Sequence, residues 1–295
     1  MTSRPKVSDA GDFTPPARRR AVDLDIGGHR LAGEWTEAES SPGDDAGSSS
    51  TPLVLLHEGL GSIALWRRKA VDVAAFLAAA TGRPVFAYDR LGFGGSDPLP
   101  GPRAVDYLHD EAERLLPAVL DAAGIERAAL VGHSDGATIA LLAAAALPDR
   151  VAAAVSEAAH VIVEPETLAG IRRARAAFHA ANSRLRAGLE RAHGDKTETT
   201  FANWADLWLT PDFARFDMTG RLGAVTCPVL ALQGDGDEYG TPRQLALIEA
   251  GVAGPVETWL VPECRHVPHH QAPAAVLPRI AAFLRAVATA DAGDI

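Results

Sequence analysis

Cysteine is nearly missing from this chain. Cys227 and Cys264 are the only two in 295 residues, a count that excludes a disulfide-stapled scaffold, and no C-x-x-C pair is present to hold a metal or run redox chemistry. Basic residues are also in deficit: 28 Lys and Arg against 38 Asp and Glu leave a net charge of −10. An electrostatic grip on nucleic acid therefore finds no support. Long apolar runs are absent as well. The longest, Ala137 to Leu147, is too short to span a bilayer and reads as a buried helix. Met1 to Arg20 carry Pro, Ser, Asp and an Arg run but no apolar stretch, which is unlike a secretory signal. The expectation is a soluble cytoplasmic protein with no membrane partner. With 47% hydrophobic and 22% charged residues, the chain suits one large globular domain carrying an insertion.

What is present centres on Ala128-Ala-Leu-Val-Gly-His-Ser-Asp-Gly-Ala137. A short apolar strand enters a cramped turn and leaves it as an Ala/Leu-rich helix, with Gly132-x-Ser134-x-Gly136 at the turn. In a nucleophile elbow the serine sits at a strained strand-to-helix joint with its hydroxyl above the sheet. The flanking glycines keep Cβ atoms away from the neighbouring backbone, and the helix turns its positive end toward the serine. The tripeptide spacing alone is not specific; the strand before and helix after give it meaning.

Around this joint, strands and helices alternate. Residues 1–19, rich in Pro and charge, read as a disordered tail. Ala21–Ile26 and His29–Trp35 form a hairpin about Gly27-Gly28, and residues 37–51 form a Ser/Gly/Asp loop. Apolar strands follow at 52–57, 84–89, 128–131 and 151–156, with helices near 64–80, 105–123 and 135–147. That order implies a doubly covered, mostly parallel α/β sheet. It breaks from about Val163 to Leu222. There Ile171, Ala174, Phe178, Ala181, Leu185 and Leu189 recur at helical spacing, with arginines between them, as one amphipathic helix. Trp204 and Trp208 share a side of another. We read residues 163–222 as a helical cap over a core formed by 20–162 and 223–295. The sheet resumes with strands at 228–232 and 256–261, a helix between them at 241–250 and a closing helix at 274–288.

A serine hydroxyl needs a base within hydrogen-bond reach, usually a histidine held by a carboxylate. In this architecture the order is Ser, acid, His. For the acid, Asp237 is preferred, with Asp235 and Glu157 as rivals. For the base, His266 on the loop leaving the last strand is preferred, while His269 and His270 are expected to face solvent or cap a helix. A metal site from His266, His269 and His270 lacks a carboxylate at ligand spacing, so neither metal nor cofactor is expected. The oxyanion needs preorganised N–H donors. One is the backbone of Asp135, the other comes from Gly59 or Glu58. His57 and His133 flank the site and read more readily as loop braces, although both, with Trp204 and Trp208, are candidate pocket residues. Asp89, Arg90 and Ser96 read as an ion pair or loop brace, Cys264 as packing, and the cap arginines as a solvated face.

These residues resemble the α/β-hydrolase superfamily over about 21–290. Five blocks carry the resemblance in order: Leu55-Leu-His-Glu-Gly-Leu-Gly-Ser62 with Trp66; Tyr88-Asp-Arg-Leu-Gly-Phe-Gly-Gly-Ser96; Gly132-His-Ser-Asp-Gly136; Gln233-Gly-Asp-Gly-Asp-Glu-Tyr-Gly-Thr241; and Cys264-Arg-His266. The resemblance implies an eight-stranded, mostly parallel sheet with helices on both faces, a cap after the sixth strand, and Ser134, Asp237 and His266 as nucleophile, acid and base. One departure stands out. Glu58 intervenes between His57 and Gly59, where most members have His-Gly, as in a bacterial subgroup with His-Glu-Gly-Leu-Gly-Ser. The extra carboxylate is expected to put a charge at the pocket mouth that disfavours anionic substrates. The implied function is a serine hydrolase of small esters, thioesters or lactones. Alternatives are a C–C hydrolase of diketone-like ring-cleavage products, or a ligand-binding member with little turnover. The partner is a hydrophobic or aromatic-derived small molecule, and the oligomeric state is open.

Overall fold

The computed structural model describes residues 13–39, 51–68 and 70–291. In chain order it comprises β1 (Ala17–Ile26), β2 (His29–Ala38), β3 (Leu53–Leu56), β4 (Arg67–Arg68), β5 (Val71–Asp72), α1 (Val73–Thr81) and β6 (Val85–Tyr88). Next come α2 (Tyr107–Asp110), a π turn over Glu111–Leu115, α3 (Leu116–Ala122), β7 (Ala128–His133), α4 (Asp135–Ala146) and β8 (Val151–Glu157). Then follow α5 (Pro165–His179), α6 (Arg184–His193), α7 (Thr197–Trp208), β9 (Val229–Gly234), α8 (Arg243–Gly251), β10 (Val256–Val261), α9 (Pro268–Gln271) and α10 (Pro273–Asp291).

Eight strands form one sheet in the order β1-β2-β6-β3-β7-β8-β9-β10. The β1–β2 and β2–β6 pairs are antiparallel and the rest parallel. The period of two along β3 divides the core. Val54 and Leu56 pack with Leu130 and α4 on one face, and Leu53 and Leu55 pack with Val131, α1 and α10 on the other. A strand buried on both faces must be apolar throughout, as the run Leu53–Leu56 is. Helix α4 is buried from Asp135 to Ala144, which explains why it has no polar stripe.

The chain passes from β3 to β6 on one side of β3 and returns with β7 on the other. Open α/β sheets bind ligands in the crevice at such a reversal, outside the carboxyl ends of the strands. The turn after β3 and the turn after β7 both lie there.

Four sequence expectations change. The tail expected through residue 19 gives way earlier: β1 begins at Ala17, and Phe13 bridges to Val71. Cross-strand contacts of Arg19 with Glu34 and Thr36 account for the added residues. Residues 1–12, and 40–50 of the expected loop, lie outside the described residues. The helix expected from about Ala64 starts only at Val73, where Asp72 accepts a capping bond from Ala75 N at 3.0 Å; before it stand a 3₁₀ turn and the β4–β5 hairpin. The helix expected through Leu189 breaks between His179 and Arg184. Asn182 takes φ 55° there and Ser183 caps the next helix, so local capping chemistry overrides a pattern that continues in register. The helix expected over 105–123 is interrupted by the π turn, in which buried Glu111 receives Arg103 at 3.0 Å. No described helix is long and apolar enough to cross a membrane.

Leu55 has no exposed surface. Leu55→Ala is expected to lower the unfolding free energy by about 2–5 kcal/mol, measured by urea denaturation; a loss well under 1 kcal/mol would contradict this account of the core.

Candidate active site

The site starts from backbone contacts. A Cβ on Gly136 would lie 1.9 Å from the Leu56 carbonyl oxygen, and one on Gly132 would lie 2.1 Å from the Gly136 oxygen. Only glycine lets the turn after β7 press against the end of β3. Between them Ser134 takes φ 55°, ψ −117°, a conformation costly for a residue with a side chain and held here by its surroundings. Its N–H donates to Glu157 O at 2.8 Å. Asp135 opens α4, so its own N–H has no partner within the helix.

The same device sets the second half. A Cβ on Gly234 would meet the Arg265 carbonyl at 2.2 Å, and Gly236 N donates to Cys264 O at 2.8 Å. The loops after β9 and β10 are thereby joined. Asp237 Oδ1 and Oδ2 lie 2.8 and 3.0 Å from His266 Nδ1, and His266 Nε2 lies 3.0 Å from Ser134 Oγ. Burial alone would raise the Asp237 carboxyl, but the charge and hydrogen bond of His266 outweigh it and hold it below its ordinary value. The rival acids go elsewhere. Asp235 is exposed, and Glu157 pairs with His269 Nδ1 at 2.9 Å.

His269 corrects the expectation of a solvent-facing ring. It is 3% exposed, and both its backbone N–H and its ring are taken by Glu157. His270 also turns inward, with Nε2 2.9 Å from Leu65 O, and burial first, then the charge of His269, push it down to about 4. Among the described residues no cluster suited to a metal occurs.

In the turn after β3, the Glu58 carbonyl oxygen accepts three bonds: Gly61 N at 3.0 Å, His57 Nδ1 at 2.8 Å and Arg90 Nη2 at 2.8 Å. Arg90 N in turn donates to His57 Nε2 at 3.1 Å, so His57 is a neutral brace; burial, then Arg90, holds it well below its ordinary value. Of the two readings of Asp89, Arg90 and Ser96, the ion pair does not form and the loop brace does, with Ser96 Oγ donating to Asp89 O at 2.5 Å. The Asp89 carboxylate accepts from Ile63 N and Gly95 N, while Arg90 approaches Asp135 at 3.6 Å. Cys264 is buried as packing.

The Glu58 carboxylate is not a bare charge at the mouth, contrary to expectation. His133 Nδ1 lies 3.1 Å from it, and although burial opposes both charges, the pairing holds Glu58 down to about 2 and His133 up to about 9.

A cavity of about 650 Å³ opens above Ser134, lined among others by Trp204, Trp208, Tyr239, Leu189 and His160. Trp208 is 1% exposed, and its Nε1 donates to Tyr107 Oη at 2.9 Å. Tyr107 donates to Asp135 Oδ2 at 2.5 Å. The candidate pocket residues His57, His133, Trp204 and Trp208 all reach this cavity. Sequence reasoning missed Tyr107, Tyr239 and His160. Tyr107 carried no signal because its partners Asp135 and Trp208 lie 28 and 101 positions away. His160 had a weak signal in its place three residues past the end of β8. It packs edge-on to Trp208 at 5.2 Å and near His266 at 5.8 Å, and burial, then the charge of His266, push it down to about 4.

Comparison with known proteins adds the lineage. The family profile described as "alpha/beta hydrolase fold" matches residues 51–217. A 2-hydroxy-6-oxononadienedioate/2-hydroxy-6-oxononatrienedioate hydrolase of Paraburkholderia phymatum is 38% identical over 147 residues, 49% of this chain and 46% of that one. A 1-acylglycerol-3-phosphate O-acyltransferase of Homo sapiens is 33% identical over 107 residues, 35% of this chain and 28% of that one. In each case the match spans less than half the length of the curated relative. The structure of a 2-hydroxy-6-oxo-6-phenylhexa-2,4-dienoate hydrolase from Rhodococcus sp. strain RHA1 superposes with a TM-score of 0.71 over 92% of this chain and 100% of that one, at 16% identity. At that identity the likeness is one of fold.

Two expectations follow from the geometry. Gly136→Ala is expected to prevent the β3–β7 contact, giving little folded protein or a Ser134–His266 separation well beyond 3.0 Å, read by circular dichroism and crystallography; a well-folded variant with an unchanged site would refute the steric argument. Because the folded Asp237 value is depressed, its pairing stabilises above the unfolded carboxylate range near 4 and is lost as pH falls through the folded value. Asp237→Asn should therefore cost stability at pH 6, with the gap to wild type narrowing as pH falls below the ordinary carboxylate range near 4 in urea titrations. A pH-independent gap would contradict it.

Proposed function

Taking as premise that the chain belongs to the alpha/beta hydrolase fold family, we propose that it cleaves small carboxylic esters, thioesters or lactones through an acyl-enzyme on Ser134. The observation that carries this reading is the unbroken relay from Asp237 through His266 to Ser134, with contacts of 2.8 and 3.0 Å. A serine at an elbow has no structural need of such a partner. His266 Nε2 accepts the Ser134 proton as Oγ attacks the carbonyl, then returns it to the leaving group; water repeats the sequence to release the acid. Asp237 holds the imidazole and balances its charge.

The developing oxyanion is met by the Asp135 N–H at the start of α4 and by the Gly59 N–H. Gly59 is favoured over Glu58 because the Glu58 carbonyl is held by three donors. A trans peptide directs its N–H opposite to its C=O, so pinning that oxygen presets the Gly59 donor. In this reading residues 163–222 are a cap whose tryptophans, with Tyr239, wall an apolar or aromatic-derived acyl group. A second reading, hydrolysis of a C–C bond in a diketone-like ring-cleavage product, draws on the name of the Paraburkholderia relative, a 2-hydroxy-6-oxononadienedioate hydrolase, and uses the same residues.

Labelling with a fluorophosphonate is expected to place one adduct on Ser134. Ser134→Ala should remove the adduct and lower kcat on p-nitrophenyl esters by about 10³-fold or more. A dienol chromophore assay separates the two reactions. Absence of any adduct would remove both and leave a binding protein.

A further inference from the structure

Glu58 and His133 take no part in the proposed acyl-transfer steps, yet they sit against every segment that does. His133 is the variable residue inside Gly132-x-Ser134, Glu58 lies in the turn that carries Gly59, and His266 stands on the loop after β10. One ring touches all three. His133 Nδ1 is 3.1 Å from Glu58 Oε2, and His133 Nε2 is 2.7 Å from the backbone oxygen of His266. Both partners are acceptors with no proton to give. A neutral imidazole offers one donor and one acceptor nitrogen, so only the doubly protonated ring satisfies both contacts.

The charged and titratable groups facing His133 are few. The rings of His266 and His269 lie 5.2 and 5.1 Å from it. Glu157 acts on it at longer range but is taken by His269. Glu58 is therefore the counter-charge. His133 is 2% exposed, so solvent contributes little to its charge.

We propose that the Glu58–His133 ion pair is a positioning strut that locks the oxyanion turn to the loop bearing His266, and that its neutrality, as much as its contacts, serves the reaction. The inference rests on the acyl-transfer reading above. The Gly59 N–H follows directly after Glu58 in the chain. A bare carboxylate there, half-buried at the cavity wall, would oppose the negative charge developing on the substrate oxygen. Protonated His133 cancels that charge. The same ring, by donating to the His266 carbonyl, fixes the height of the base loop above Ser134.

The pH consequence has a definite sign. His133 is held up to about 9, because the Glu58 hydrogen bond and charge outweigh the burial that would lower it. A raised histidine value means the pair's stabilisation is full below the ordinary histidine range and declines above it, while the pair itself stays charged until pH rises through about 9. Above that pH the Glu58 carboxylate loses its cation and the His266 loop keeps only a neutral donor.

The test has two arms. In the first, ¹⁵N NMR of the histidine rings in the free protein should show His133 protonated on both nitrogens at pH 7.5, deprotonating near pH 9. This arm needs no substrate, so its failure is distinct from failure of the hydrolase reading; a neutral His133 at pH 7.5 would overturn the strut. In the second, the limiting rate of Ser134 modification by a fluorophosphonate is followed from pH 7 to 10.5. Wild type should lose about tenfold above the His133 transition, with the probe's apparent affinity little changed. Glu58→Gln should lack that alkaline limb, since its amide can donate to the neutral ring. His133→Gln leaves the half-buried carboxylate without its cation and should slow modification by about 10²-fold, whereas Glu58→Gln/His133→Gln should recover at least tenfold of that loss. An alkaline limb that persists in Glu58→Gln, or a double variant no faster than His133→Gln, would overturn the role of charge.

Discussion

The site depends on one steric constraint: the approach of backbone to backbone where the turn after β7 meets the end of β3. Gly136 lies so close to the Leu56 carbonyl that even a methyl group has no room. That contact places Ser134 beside the turn after β3. A similar approach, Gly234 against the Arg265 carbonyl, brings the loop of Asp237 to the loop of His266. Hydrogen-bond distances between the three side chains follow from these two contacts, because the backbones carrying them cannot separate without losing the sheet packing beneath.

On this frame the charges are arranged almost wholly in pairs. Carboxylates around Ser134 have their own partners: Asp237 with His266, Glu157 with His269, Glu58 with His133, Asp135 with Tyr107 and Arg90, Glu238 with Arg265. An unpaired buried charge is costly and shifts its neighbours. Pairing each acid leaves His266 free to answer to Asp237 and Ser134. It also accounts for the crowding of histidines, whose rings can be cation, neutral brace or base according to the partner. His57, held neutral by burial and then by Arg90, and His133, held charged by Glu58, are the two extremes within one site.

The alternation of strands and helices, the strained serine turn, the contact of Asp237 with His266 and the break in pattern after β8 were legible because each is written in local periodicity or at a strand end. The misreadings share a cause. Residues 171–189 keep helical spacing across a break, because periodicity records which face is apolar and not whether the chain turns between two helices. His269 read as solvent-facing because Glu157, which buries it, lies 112 positions away. Glu58 read as a bare charge because nothing adjacent announces His133 as its partner.

By itself the sequence determined the strand order's raw material, the glycines that permit close approach, and the serine, aspartate and histidine, in their order along the chain, that the fold brings into contact. Those follow from interactions between residues a few positions apart, where backbone geometry leaves few choices. Only the tertiary structure decided which carboxylate meets which histidine, which ring is charged, and how the Glu58 peptide is turned. Such outcomes depend on separations of about 3 Å between segments that the fold, rather than the chain, brings together.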